Sequence, residues 1–295
     1  GLTDFDIQAA YKACLKSANT PGKDNKIRPD VDPYIAKGYI PLGYFAQDFS
    51  GDNSVSHALE YYVADNALAL LSDKLAQEAT SSAQKAEYQK YAKEFRKRSK
   101  GWRHYYSKES GTLRPLNSDG TFLSPFNPKD GADFSNTPGF HEGSAWNYTF
   151  YVPHDIEGLA KAMGGDKAFV AKLQKVFDEG LYDPANEPDI AYPFLFSRFK
   201  GEEHRTAQTV AALLKKYYTT RPDGIPGNDD TGVMSAWAVF SMIGMYPDCP
   251  GEPQYTLFSP VFDSVEINGK YVIRKDQKIK KHRITHQEFV RDYAK

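Results

Sequence analysis

The chain has 295 residues, of which 40% are hydrophobic and 25% charged, with a formal net charge of -1. That is the profile of one large globular domain or two modest ones. Lys and Arg nearly cancel Asp and Glu, which excludes the electrostatic footprint of a nucleic-acid binder or an anionic-membrane binder. No apolar run approaches the roughly 20 residues of a membrane span.

Taken in chain order, Asp4 or Asp6 caps a first helix that runs to about Ser17. A loop rich in Pro, Asp and Lys follows. Asn53 precedes a long helix with Val55, Leu59, Tyr62, Val63 and Asn66 on one face. A second long helix carries Tyr88, Tyr91, Ala92, Phe95, Ser99 and Trp102 on one side and Lys and Arg on the other, a solvated face. Residues 107–138 have no helical period and are punctuated by Gly and Pro; so long a loop in a compact domain shapes a binding site. Helices resume near Ser144, then over 155–163, 166–178 and 202–218. A last one begins after Asp230 and ends at Met245. It is apolar nearly all round and is expected to be buried on every side. In the tail, Asn268-Gly269 is a turn signal between two β-like runs, and KDQKIKKHR reads as a charged loop.

This order predicts an all-α body with a short C-terminal β-hairpin, and the lack of interleaved strands excludes a βαβ sheet. Long helices alternating with short ones suit a toroid or a solenoid, and no short repeat supports the solenoid. Residues 1–252 read as the helical catalytic part and 253–295 as a β-rich extension. Cys14 and Cys249 make no disulfide framework and are expected to be free and buried. The opening GLTDFDIQAAYKACL lacks the basic and apolar regions of a secretory leader.

Three segments can carry chemistry. In GIPGNDDTG, Asn228, Asp229 and Asp230 stand at the start of the apolar helix, whose dipole favours ionised carboxylates and suits a general base. Capping explains one Asp but not this whole cluster. In FHEGSAWNYTFYVPHD, Glu142 neighbours Phe140, Trp146 and Tyr148. A carboxyl held against such rings has a raised pKa and suits a general acid. In YDPANEPDIAYPFLF, Asn186 and Glu187 offer hard oxygen donors that suit Ca²⁺. The seven histidines show no zinc spacing, and no serine-hydrolase elbow or phosphate-binding glycine loop is present. Separated acidic sites in an aromatic-rich helical body point to glycoside hydrolysis.

HEGSAWNYTFYVPHD, NEPDIAYPFLF and PGNDDTGVMSAWAVFSMIGMYP, in this order, resemble glycoside hydrolase family ninety-two, the inverting, calcium-dependent exo-α-mannosidases of bacteria and fungi. Further matches are GYIPLGYFAQDFSGDNSVSHALEYYVADNALA, GWRHYYSKESGTLRP and YTLFSPVFDSVEI, so the resemblance runs from about Gly38 to Ile267. It implies an (α/α)6-type helical toroid, incomplete here, in a secreted or periplasmic enzyme acting on mannose-containing glycans, with α-1,2-linked mannosides expected. Glu142 matches the family's general acid and Asp230 its general base, with Asp229 beside it. Asn228 stands where some members carry a second acidic residue. Asn186 and Glu187 fall in the loop that helps hold Ca²⁺ against the sugar, and Trp146, Tyr148, His154 and Asn228 match the substrate pocket. The family's preceding β-sandwich, first toroid helices and Trp-Asp motif are absent, so the missing half is an expected partner, as a second domain or chain. Two other readings remain: another helical-toroid glycosidase of the trehalase or glucoamylase kind, and a non-catalytic carbohydrate-binding fragment.

Overall fold

The computed structural model describes residues 4–44, 52–135 and 137–295. Residues 45–51, within one of the family-like segments, lie outside the described residues. By packing, the chain divides into two units, Gly1–Asp155 and Ile156–Lys295.

The first unit is built on two long helices. Asp6 caps α1 (Ile7–Asn19), its carboxylate accepting the amides of Gln8 and Ala9 at 3.0 and 2.9 Å. A short α2 (Val31–Lys37) leads to α3 (Ser54–Glu78). A tight link then starts α4 (Ser82–Arg98), where Ser81 accepts the Gln84 amide at 3.2 Å. Tyr11 and Ala18 of α1 pack with Leu68, Ala69 and Leu75 of α3 and Tyr88 and Phe95 of α4. The stripe that α1 turns inward runs Tyr11, Leu15, Ala18, and Cys14 falls one position off it. Cys14 is therefore exposed, against the expectation of burial, while Cys249 is buried and both are free. The loop before α2 is pinned to α3 by a buried ion pair, Arg28 Nη1 to Asp65 Oδ1 at 2.6 Å, with the Tyr34 hydroxyl donating to the other carboxylate oxygen at 2.8 Å.

Beyond a 3-10 turn (Ser99–His104) and a two-residue ladder of β1 (Tyr106–Ser107) with β2 (Thr112–Leu113), no helix forms before α5 (Ala145–Thr149) among the described residues. Ser144 and Asn147 cap α5 reciprocally.

The second unit opens with α6 (Ile156–Ala162) and α7 (Asp166–Asp178), whose Phe169, Val170, Leu173 and Val176 make one buried stripe. A buried 3-10 segment (Tyr192–Arg198) precedes α8 (Glu203–Tyr217), and a short turn precedes α9 (Val233–Ile243). Phe194 stacks on Tyr246 with ring centroids 3.8 Å apart. The expectation that α9 is buried all round does not hold. Met234, Trp237 and Ser241 are buried, whereas Val239 is 53% exposed. An apolar face needs a packing partner, and none of the described residues covers that side.

The tail is more than a hairpin. β3 (Met245–Tyr246), β4 (Gln254–Leu257) and β7 (Arg283–Thr285) form an antiparallel sheet in the order β3-β4-β7. β5 (Ser264–Ile267) and β6 (Tyr271–Arg274) form the expected hairpin, with Asn268 and Gly269 at φ 53° and 67° as its turn requires. α10 (His286–Asp292) closes the chain, and its Phe289 packs with Met245, Leu257, Ile273 and Ile284.

Thr285 and Glu288 cap α10 reciprocally, and Lys281 Nζ lies 2.8 Å from the Glu288 carboxylate. Lys281 first, then the Thr285 amide, hold that carboxyl down to about 2 from 4.5. A depressed carboxyl stabilises the fold above its unfolded value and loses that contribution as pH falls through its folded value. The protection of α10 amides, their exchange relative to the intrinsic rate at each pH, is therefore expected to fall as pH falls from 4.5 towards 2, and to fall less for α7. NMR exchange across that window, with no difference between the two helices, would contradict this.

Candidate active site

In the second unit, two loops and the start of α9 come together. Asp183 accepts the Ala185 amide at 2.8 Å, and the buried Asp189 accepts the Asp183 amide at 2.9 Å, which closes the loop between them. Trp237 of α9 donates its indole N–H to the Ile190 carbonyl at 2.8 Å. Gly227 lies directly against Ala185: a Cβ built there would stand 2.6 Å from the Ala185 Cβ, so only glycine permits the approach. The Asn186-Glu187 segment and the Asn228–Asp230 segment are thereby neighbours.

The two adjacent aspartates have different work. Asp229 Oδ1 accepts the amides of Met234 and Ser235, both at 3.0 Å, and Oδ2 accepts the Ser235 hydroxyl. Those bonds, the Ser235 hydroxyl foremost, hold its carboxyl below the usual range. Asp229 is thus the cap that orders the start of α9. Asp230 follows it, and its exposed side chain makes no such bond among the described residues. Between Asp230 and α9 the backbone passes through the left-handed region at Thr231 (φ 55°) and Gly232 (φ 77°). For a β-branched residue such as Thr231 this costs on the order of 1–3 kcal/mol and occurs mostly at functional sites.

Tyr218, directly after α8, escapes the sequence reading because it continues an ordinary amphipathic helix. Its ring stacks on Trp237 at 5.3 Å, and its phenol is pushed up to about 12, first by burial and then by the charge of Asp229. It walls the site beside the aspartates.

The calcium expectation meets a partial donor set. Asn186 is 5% exposed and buried, whereas Glu187 is exposed, so the two side chains lie in different surroundings. Among the described residues no group of three or more His, Cys, Asp or Glu side chains gathers as a metal site. Calcium takes six to eight oxygens, so this loop alone does not fit a complete calcium centre.

In the first unit, the turn bearing Glu142 rests on the start of α3. Gly139 O accepts the Val55 and Ser56 amides at 2.9 and 3.1 Å, and Ser56 Oγ accepts the His141 amide at 2.9 Å. Glu142 itself has left-handed backbone (φ 48°), and its side chain is 66% exposed, 3.8 Å from the His141 imidazole. The sequence reading holds its carboxyl against aromatic rings, and the structure differs. Phe140, Trp146 and Tyr148 are buried in the core of the unit, and the Tyr148 hydroxyl donates to the His141 carbonyl at 2.6 Å. His154 Nε2 lies 2.8 Å from the Ser99 carbonyl. Trp146 and Tyr148 thus lie inside the first unit and His154 is half-buried, and Asn228, in the second unit, is exposed.

Glu60 of α3 is an exposed residue whose carboxyl is nevertheless raised above the usual range, first by the protein packed around it, against the opposing effect of a Tyr151 hydrogen bond and the nearby His57. Its place in the segment HALEYY signals only a helix face.

The family model for the glycosyl hydrolase family 92 catalytic domain matches residues 1–293. A protein described as an uncharacterized secreted glycosidase of Arthroderma benhamiae is 27% identical over 290 residues, covering 90% of this chain and 35% of that protein. Among solved structures, the family GH92 inverting mannosidase of Bacteroides thetaiotaomicron superposes with a TM-score of 0.81 at 23% identity, covering 98% of this chain and 42% of that one. A GH92 alpha-mannosidase of the same organism gives 0.79 at 25% identity, covering 97% and 38%. It is also solved with mannoimidazole, where the TM-score is 0.80 at 23% identity. The chain therefore spans roughly two-fifths of the length of these proteins. The motifs around Glu142 and Asp230, the helical fold and the family match over nearly every residue agree, and the chain belongs to glycosyl hydrolase family 92.

Proposed function

We propose that the enzyme containing this chain is a secreted, exo-acting α-mannosidase that hydrolyses α-1,2-linked mannosides with inversion. The observation that carries the mechanism is the division of labour between neighbours. Asp229 is consumed in capping α9, and Asp230 is left exposed next to the strained backbone of Thr231. Asp230 takes a proton from water, whose oxygen attacks the anomeric carbon from the face opposite the leaving group. As the glycosidic bond breaks, Glu142 gives its proton to the departing oxygen. The two carboxyl groups then need a separation of about 6.5–9.5 Å to admit that water. Membership of the family and the names of the solved relatives support mannose as the substrate. The secreted relative supports export. Asn186 and Glu187 supply at most part of a calcium centre, so no step above passes through the metal.

The test is the enzyme containing this chain, incubated with an α-1,2-mannobiose and followed by proton NMR. Release of β-mannose as the first product, with loss of activity under a calcium chelator, is expected. First release of α-mannose would replace inversion by retention, and no mannose release would remove the activity.

A further inference from the structure

The second unit holds another concavity, the groove between α7 and α8, which encloses about 360 Å³. That is within the range of small-molecule sites. Its aromatic side is Phe177 and Tyr217, and Phe177 is held in place against Tyr182 at 5.1 Å and Phe196 at 5.9 Å. Its polar rim is fixed by a hydrogen-bond relay that crosses from one helix to the other. Arg205 Nε lies 2.5 Å from the Glu202 carboxylate and its Nη1 donates to Gln174 Oε1 at 2.7 Å; the Gln174 amide donates to Asp178 at 2.9 Å. Gln208 adds a second amide, and no carboxylate lines the groove.

Rings beside planar amide and guanidinium groups with fixed orientations are what a pyranose requires, its C–H face on the ring and its hydroxyls on the rim. The Arg205 charge is matched by Glu202, and the groove's other cation, Lys216, lies over the Tyr217 ring, 4.7 Å from its centroid, which leaves Phe177 as the open ring for a neutral sugar. The chain also connects this groove to the aspartates: Tyr217 lines the groove, and the next residue, Tyr218, stacks on Trp237 beside Asp229. A comparable recess of about 380 Å³ lies near Lys37, Lys97 and Lys100 in the first unit. Lys37 and Lys97 sit in the last turns of α2 and α4 and Lys100 just beyond, where the helix dipole accounts for them.

We propose that the α7–α8 groove is a second glycan-binding site, taking a neutral hexopyranose unit of an extended glycan remote from the bond being cleaved. This rests on the α-mannosidase reading for its substrate. The experiment compares the enzyme containing this chain with its Ala212→Trp variant, which fills the groove from an exposed helix position, and with Arg205→Ala. Both are assayed on a polymeric α-mannan and on nitrophenyl α-mannoside. The expected result is a KM for mannan raised about five- to tenfold, the range of one or two lost contacts, with nitrophenyl α-mannoside kinetics unchanged. Equal effects on both substrates, or on neither, overturn the proposal. If the parent enzyme cleaves neither substrate, the mannosidase reading has failed, and retention on insoluble mannan decides the groove by itself. Retention of the parent but not of Ala212→Trp supports it, and equal behaviour of the two overturns it.

Discussion

Asp230→Asn in the enzyme containing this chain is expected to lower kcat by about 10²-fold or more, the scale of losing a positioned general base, with the unfolding temperature little changed. Asn is nearly the same size as Asp, and the Asp230 carboxylate supports no hydrogen bond that the fold uses among the described residues. What Asn cannot do is accept the proton of the attacking water. Asp229→Ala is the counterpart. It leaves the Met234 and Ser235 amides without their acceptor and frees the turn at Thr231, so it lowers the unfolding temperature and disturbs turnover indirectly. Asp229→Asn, an equally good cap by preference, should restore stability and most of the activity. If Asp229→Asn abolishes turnover while Asp230→Asn retains it, the base is Asp229.

The largest loss of stability is expected at Asp65. Asp65→Ala removes the partner of Arg28, whose side chain is 7% exposed, and leaves the Tyr34 hydroxyl without its acceptor. Stranding a buried charge costs about 3–5 kcal/mol, or a fall in unfolding temperature on the order of 10 °C. The guanidinium keeps only its stacking on Tyr61, 4.9 Å from the ring centroid, and that does not offset desolvation. The double variant Arg28→Met with Asp65→Leu removes both charges and should recover a large part of the loss. A melting temperature for Asp65→Ala within 2 °C of the parent would show that Arg28 finds water, and that the pair matters little.

Much of this fold follows from pattern alone, for reasons that differ from helix to helix. α7 spans the residues its periodicity marks, Asp166–Asp178, because Gly165 and Gly180 punctuate both ends. The hairpin follows from Asn268-Gly269, since few residue pairs tolerate two successive positive φ values. α10 has no clear helical period in the sequence, although Thr285 and Glu288 have the spacing of a capping box; the basic run before it masks the signal. α9 misleads in the opposite way. Its composition reports how apolar it is, and burial depends on what packs against it. The site shows the same limit. Asn186, Glu187, Asp229 and Asp230 are singled out as candidates by the segments that carry them. That Asp229 caps and Asp230 does not depends on a turn at Thr231 that no propensity predicts. The exposure of Glu142, the desolvation of Glu60 and the role of Tyr218 are tertiary facts, set by neighbours far away in the chain.

The unequal burial of the two thiols gives this protein an internal clock. Cys14 lies open on α1, while Cys249 is 2% exposed, and burial raises its pKa far from the thiolate. A maleimide reacts with the thiolate, so the native chain takes one label promptly, and the second label waits for the region around Cys249 to open. The ratio of the two labelling rates therefore measures how often that region opens, without denaturant and without any substrate.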